Sequence, residues 1–217
     1  LDLDHKILEN IVDPFTRLNG LCSLAELCTQ LQDLDRATII LREVDTSLSL
    51  LPSTFQKILV LSAFVKIYSG IDREKADARM DQGLSLLTAV ESKEDAIARR
   101  QLVYAIVSMH AIRPEKYGID LIIEIIKKIS DPLEYIDSLI AAHVIIKNDH
   151  TRCAEIIKDL YGAVQAIPSP YDKASVLMEI IPLAVQCCND DMPQKLITLA
   201  ENLAQKVNIV YIADTLH

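Results

Sequence analysis

The stretches VDPFTRLNGLCSLAEL, Val12 to Leu27, and SDPLEYIDSLIAAHVI, Ser130 to Ile145, say the same thing twice. Each opens on an acidic residue and a proline, Asp13-Pro14 and Asp131-Pro132. Ser169-Pro170 is a third copy. A side-chain oxygen before proline is a helix start: the oxygen accepts from a free backbone N–H, and proline occupies the first turn, where no N–H is needed. Apolar residues then follow each proline at offsets of 4, 7, 10 and 13: Leu18, Leu21, Leu24 and Leu27; Ile136, Leu139, Ala142 and Ile145; Ala174, Leu177, Ile180 and Leu183. Such spacing predicts one apolar stripe along a helix.

Weaker copies fill the interval. Ile58, Leu61, Phe64 and Ile67 repeat the register, and Arg99, Leu102, Ala105 and Ser108 repeat it with Val103, Ile106 and Val107 alongside. A second helix follows each first one. Asp33 starts one carrying Ala37, Ile40, Leu41, Val44 and Leu48; Pro114 starts another carrying Gly118, Leu121, Ile122, Ile125 and Ile129. Ala76, Met80, Gly83 and Leu87, then Cys153, Ile156, Ile157, Leu160 and Val164, then Leu196, Leu199, Ala200, Leu203 and Val207 complete the column. Its first position is small in four copies, Ala37, Ala76, Gly118 and Cys153, which lets helices approach closely. The turns Gln32-Asp33, Ser69 to Asp72, Ile112-Arg113, Asn148 to His150 and Asn189 to Asp191 are short, and short links force antiparallel hairpins.

The unit is thus helix–turn–helix with a period of about 38–40 residues. The expected boundaries are 12–51, 52–90, 91–129, 130–167 and 168–207, in one domain spanning 1–217, with partial helices at 1–11 and 208–217. The expected fold is an all-α solenoid, a right-handed superhelix of five hairpins. Pro182, inside the helix after Pro170, is expected to bend it. Neither end has the polar helix that caps a solenoid, and the chain does not begin with Met; we expect a processed chain or part of a longer one.

Composition agrees. Half of the 217 residues are hydrophobic, glycine occurs five times and tryptophan is absent, which favours helices over a turn-rich β fold. The net charge is −9, unevenly spread: residues 1–50 hold nine acids against four bases, residues 51–110 seven against eight. With this balance and no basic cluster, nucleic acid is not an expected partner. The longest apolar run, Ser138 to Ile146, is interrupted by His143 and too short to span a bilayer. The acidic opening LDLDHKILEN lacks the apolar core of a signal peptide. A cytoplasmic protein is expected.

Cys22, Cys28, Cys153, Cys187 and Cys188 are odd in number, contain no Cys-x-x-Cys pair and show no spacing with histidine that suits zinc. They read as small core residues in a reducing compartment. His5, His110, His143, His150 and His217 are scattered. His143 reads as an ordinary helix residue, and His150 with Cys153 lacks the third group that a nucleophilic pair requires. No phosphate loop or hydrolase motif is present. We therefore expect no catalysis, no cofactor and no metal.

These residues make the chain resemble the tetratricopeptide-repeat and HEAT class of α-solenoids over nearly its whole length. The period lies between the two, and the tetratricopeptide tryptophan has no counterpart here. The resemblance implies a scaffold that binds a peptide or helix of another protein, with the first helices lining the groove. Superposing the copies places Asn19, Leu59, Arg100, Asp137 and Ser175 in one column, and Ser23, Ala63, Tyr104, Ala141 and Glu179 in the next. Arg100, Tyr104, Asp137 and Glu179 are the candidate partner contacts, being polar or amphipathic on otherwise apolar helices. The alternatives are self-association through the solenoid ends and an enzyme whose site is assembled from distant residues.

Overall fold

The computed structural model describes residues 6–8, 10–87, 94–146, 149–188 and 191–215, without the side chains of Glu94 and of 206–215. Among these residues the regular structure is entirely helical. Ten α-helices follow in order: α1 Pro14–Gln30, α2 Leu34–Ser47, α3 Thr54–Ser69, α4 Arg73–Leu86, α5 Glu94–His110, α6 Ile119–Ile126, α7 Pro132–Ile146, α8 His150–Ala166, α9 Pro170–Cys187 and α10 Met192–Thr215. A 3-10 turn, Leu48–Leu50, extends α2. The chain divides into two compact units, 1–125 and 126–217.

In the first unit α1 pairs with α2 and α3 with α4, while α1, α3 and α5 lie side by side. In the second, α7 pairs with α8 and α9 with α10, and α8 packs on α9. Six of the helix starts lie where the sequence places them. Asp13 accepts from the Thr16 N–H at 2.8 Å, Asp131 from Leu133 and Glu134 at 3.0 Å each, and Ser169 from Asp172 at 3.3 Å. Asp33, Asp72 and Asp149 cap the second helices in the same way. The first link is three residues, Leu31, Gln32 and Asp33. Gln32, with φ 61°, lies in the left-handed region. Its N–H donates to Thr29 and that of Asp33 to Cys28, the Schellman closure of a helix.

The buried stripe departs from the offset of 13 in all three proline-led helices. Leu27 is 42% exposed and Ile145 and Leu183 are half-buried, whereas Cys28, Ile146 and Ala184 are buried. The reason is geometric: each step of three residues falls about 60° short of a turn, so successive threes walk off the face until a step of four restores it. The first, second and fourth of the second helices hold their column, whereas in the fifth Leu196 is buried and Leu199, Ala200 and Leu203 are half-buried. Ala37, Leu41, Ala76, Met80, Cys153, Ile157 and Leu160 are all fully buried.

The third second helix is shorter than the sequence implies. Pro114 does not start it; residues 114–116 form a turn, Gly118 lies outside the helix, and α6 begins at Ile119. The buried place goes to Tyr117, which has no exposed surface. At the far end, α10 runs unbroken from Met192 to Thr215, so residues 208–215 continue it instead of opening another helix. Pro182 is an exposed residue within a continuous α9. Residues 88–93, Asn148, Asn189-Asp190, His5 and His217, which figure in the expected turns, boundaries and histidines, lie outside the described residues.

Candidate functional site

On the first unit, the faces of α1 and α3 leave a shallow groove. Part of it, about 170 Å³, is lined by Asn19, Cys22, Ser23, Glu26, Ala63 and Lys66. It extends along the same helices to Thr29, Gln30 and Gly70. Asn19, Ser23 and Ala63 are members of the two columns obtained by superposing the repeats. Glu26 and Lys66 stand one turn further on, where a third column would have found them.

Lys66 carries the surface to α5. Its Nζ lies 5.4 Å from the centroid of the Tyr104 ring. The Arg100 guanidinium approaches the same ring at 6.0 Å. A cation within about 6 Å of a ring centroid is a favourable cation–π contact, worth about 0.5–1 kcal/mol where exposed. Arg100 and Tyr104, both half-buried, stand one turn apart on α5. Asp137, half-buried on α7, and Glu179, exposed on α9, belong to the second unit.

Behind this groove, charged side chains tie the hairpins together. Arg17 on α1 meets Glu43 on α2 at 2.5 Å. Arg79 on α4 reaches back to Asp45 on α2 at 2.6 Å. Asp77 on α4 is the centre of the next tie: it accepts from the Tyr117 hydroxyl, pairs with Arg113 at 2.9 Å and with Lys116 at 3.0 Å. Lys116 also meets Asp81 at 2.9 Å. His110 donates from Nδ1 to the Tyr117 carbonyl at 2.7 Å, fixing the turn from behind. Burial alone would raise the Asp77 carboxyl; hydrogen bonds from Tyr117 and Lys116 outweigh it and hold the group below its ordinary range. The Tyr117 hydroxyl is pushed up, first by burial and then by donating to Asp77. Apart from His110 and Tyr117, these partners are 26 to 40 residues apart, so no local pattern announces them.

The second unit buries a different set. His143 on α7, Cys153 on α8 and Cys187 on α9 point to one place, their ligand-capable atoms all within 4.8 Å of one another. His143 Nε2 lies 3.0 Å from Cys187 Sγ. All five cysteines are buried thiols. Burial, reinforced by hydrogen bonding to Cys187, pushes the Cys153 thiol up to about 12. Sequence spacing hid this cluster because the fold, and not a motif, gathers it. Nearby, α9 and α10 border an apolar cleft of about 250 Å³ lined by Tyr171, Leu177, Met178, Ile181 and Leu203.

No protein-family model, no curated protein and no solved structure matches this chain. Among the described residues no helix is long and apolar enough to cross a membrane. The fold class rests on the helices themselves: an all-α array of helix hairpins packed on their neighbours in chain order within each unit.

Proposed function

We propose that the protein is a binding scaffold of the tetratricopeptide-like kind, holding a peptide or helix of another protein along the α1–α3–α5 face. The observation that carries this reading is the groove continuous with the Lys66–Tyr104–Arg100 cluster. Helical-hairpin scaffolds bind through such faces, with apolar floors for anchors and polar rims for register. Glu26 beside Lys66 offers both signs of charge, which suits a segment whose own charges alternate.

The test is capture of a partner from a lysate, followed by titration of the identified segment against variants. Alanine at Lys66, Arg100 and Tyr104 should weaken binding at least tenfold. Alanine at Asp137 and Glu179 asks whether the second unit contributes. Unchanged affinity in the Lys66/Arg100/Tyr104 variant would remove this face from the reading.

A second reading, self-association through an apolar face, is favoured by the α9–α10 cleft, where Tyr171 is 75% and Met178 73% exposed. A mass that rises with concentration in light scattering, and falls to the monomer in Met178→Asp, supports it. A constant monomer mass discards it.

A further inference from the structure

We propose that His143, Cys153 and Cys187 form a binding site for one zinc(II) ion. Three separate helices deliver the three side chains to one point, and none of the three is more than 5% exposed. Imidazole nitrogen and thiolate sulfur are the donors zinc prefers, at about 2.0 and 2.3 Å respectively. Around such an ion the ligand atoms stand roughly 3.5–4 Å apart. His143 Nε2 and Cys187 Sγ are 3.0 Å apart and no pair of the three atoms exceeds 4.8 Å, a range that includes that value. Each donor also stands near a helix end: Cys153 in the first turn of α8, Cys187 as the last residue of α9 and His143 in the last turn of α7.

Charge selects the ion. Binding converts two thiols to thiolates, and their two negative charges cancel those of zinc(II), leaving a neutral complex that can remain buried. Copper(I) with the same donors would leave a net negative charge without a counter-ion. The reaction is one zinc(II) plus two thiols and one neutral imidazole giving the complex and two protons, with no change of oxidation state. With its proton on Nδ1, His143 presents the Nε2 lone pair to the ion beside the Cys187 thiolate. Three protein donors leave the fourth tetrahedral position to water or a neighbouring group.

The test uses the whole chain, reduced and stripped of metal. Zinc(II) is titrated by calorimetry in buffers of different ionisation enthalpy, with cobalt(II) as the spectroscopic probe. We expect one ion per chain, about two protons released at neutral pH, and a thiolate-to-cobalt charge-transfer band. Outer-shell changes around a zinc site cost about 10–100-fold in affinity, so Cys153→Ala, Cys187→Ala and His143→Ala should each cost at least about a hundredfold. Cys22→Ala and Cys28→Ala should bind like the wild type. Circular dichroism shows which variants fold, and the cobalt band of the wild type tests the site without them. Substoichiometric binding, cobalt uptake without the charge-transfer band, or tight binding of copper(I) alone would overturn the proposal. So would a reduced protein that takes up no zinc and whose Cys153 and Cys187 merely form a disulfide in air.

Discussion

Both units pack helix hairpins over an apolar core, yet they join the hairpins with different chemistry. The first unit uses charged side chains repeated along the second helices: Asp45 receives Arg79, and about one repeat later Asp77 receives Arg113. The second brings imidazole and sulfur together where three helices meet. Charge ties survive partial exposure, because water screens an ion pair without forbidding it. A thiol–imidazole cluster requires burial, where each neutral group must find its partner inside. The first unit is therefore held partly from its surface and should respond to salt and acid. The second is held from its interior and should respond to thiol reagents.

The sharpest way to break this contrast is to remove its central carboxylate. Asp77→Ala leaves the buried Tyr117 hydroxyl without its acceptor and removes the partner of Arg113, while Lys116 keeps Asp81. We expect a loss of about 3 kcal/mol in urea unfolding. Glu179→Ala, on an exposed site of the second unit, should change stability by less than about 0.5 kcal/mol. Equal losses would dissolve the distinction.

Proton linkage sharpens it further. The Asp77 pKa is depressed in the folded state, so its contribution is present above the ordinary carboxylate range and is lost as pH falls through the folded value. The Tyr117 pKa is raised, so its contribution is complete below about pH 10 and lost at higher pH. The Cys153 thiol, raised to about 12, behaves likewise in the second unit, starting from the ordinary thiol range near pH 9. Thermal melts should therefore show an acid-side decline that Asp77→Asn flattens, and an alkaline decline that it lessens without abolishing, since burial of Tyr117 and Cys153 remains.

Smaller effects follow. Arg79 and Asp45 are each about a third exposed, so Asp45→Ala should cost about 1 kcal/mol at low ionic strength and less in high salt. Calorimetric melting temperatures across a salt series measure this. Gly162, inside α8, has open space where a Cβ would stand, so Gly162→Ala should stabilise by about 0.5–1 kcal/mol. Gln32→Gly, at the left-handed position between α1 and α2, should raise stability by a comparable or smaller amount. Chemical unfolding midpoints resolve both.

Local features of the fold were legible in the sequence, and relations between distant residues were not. Asp13, Asp33, Asp131 and Ser169 announce helix starts because a cap and its target N–H lie within three residues. The face of each helix was legible to within one step, and the miss at Leu27 came from counting in threes along a helix of 3.6 residues per turn. Pro114 misled because proline favours a turn as readily as a helix start, and the deciding contact, Tyr117 to Asp77, lies 40 residues away. The groove lining was half visible: the aligned columns contain Asn19, Ser23 and Ala63, while Glu26 and Lys66 needed one further turn of the same comparison. His143, Cys153 and Cys187 carried no signal, since their spacing matches no motif and only the packing of three helices unites them.

Asp33 has a consequence for how the first hairpin opens. Its backbone N–H closes α1 on Cys28 while its carboxylate and carbonyl begin α2 on Arg36 and Ala37. The end of one helix and the start of the next are therefore one event in the opening of the chain. Amide hydrogens on both sides of the link should exchange with solvent at a common rate, as a single cooperative element and not as two fraying ends.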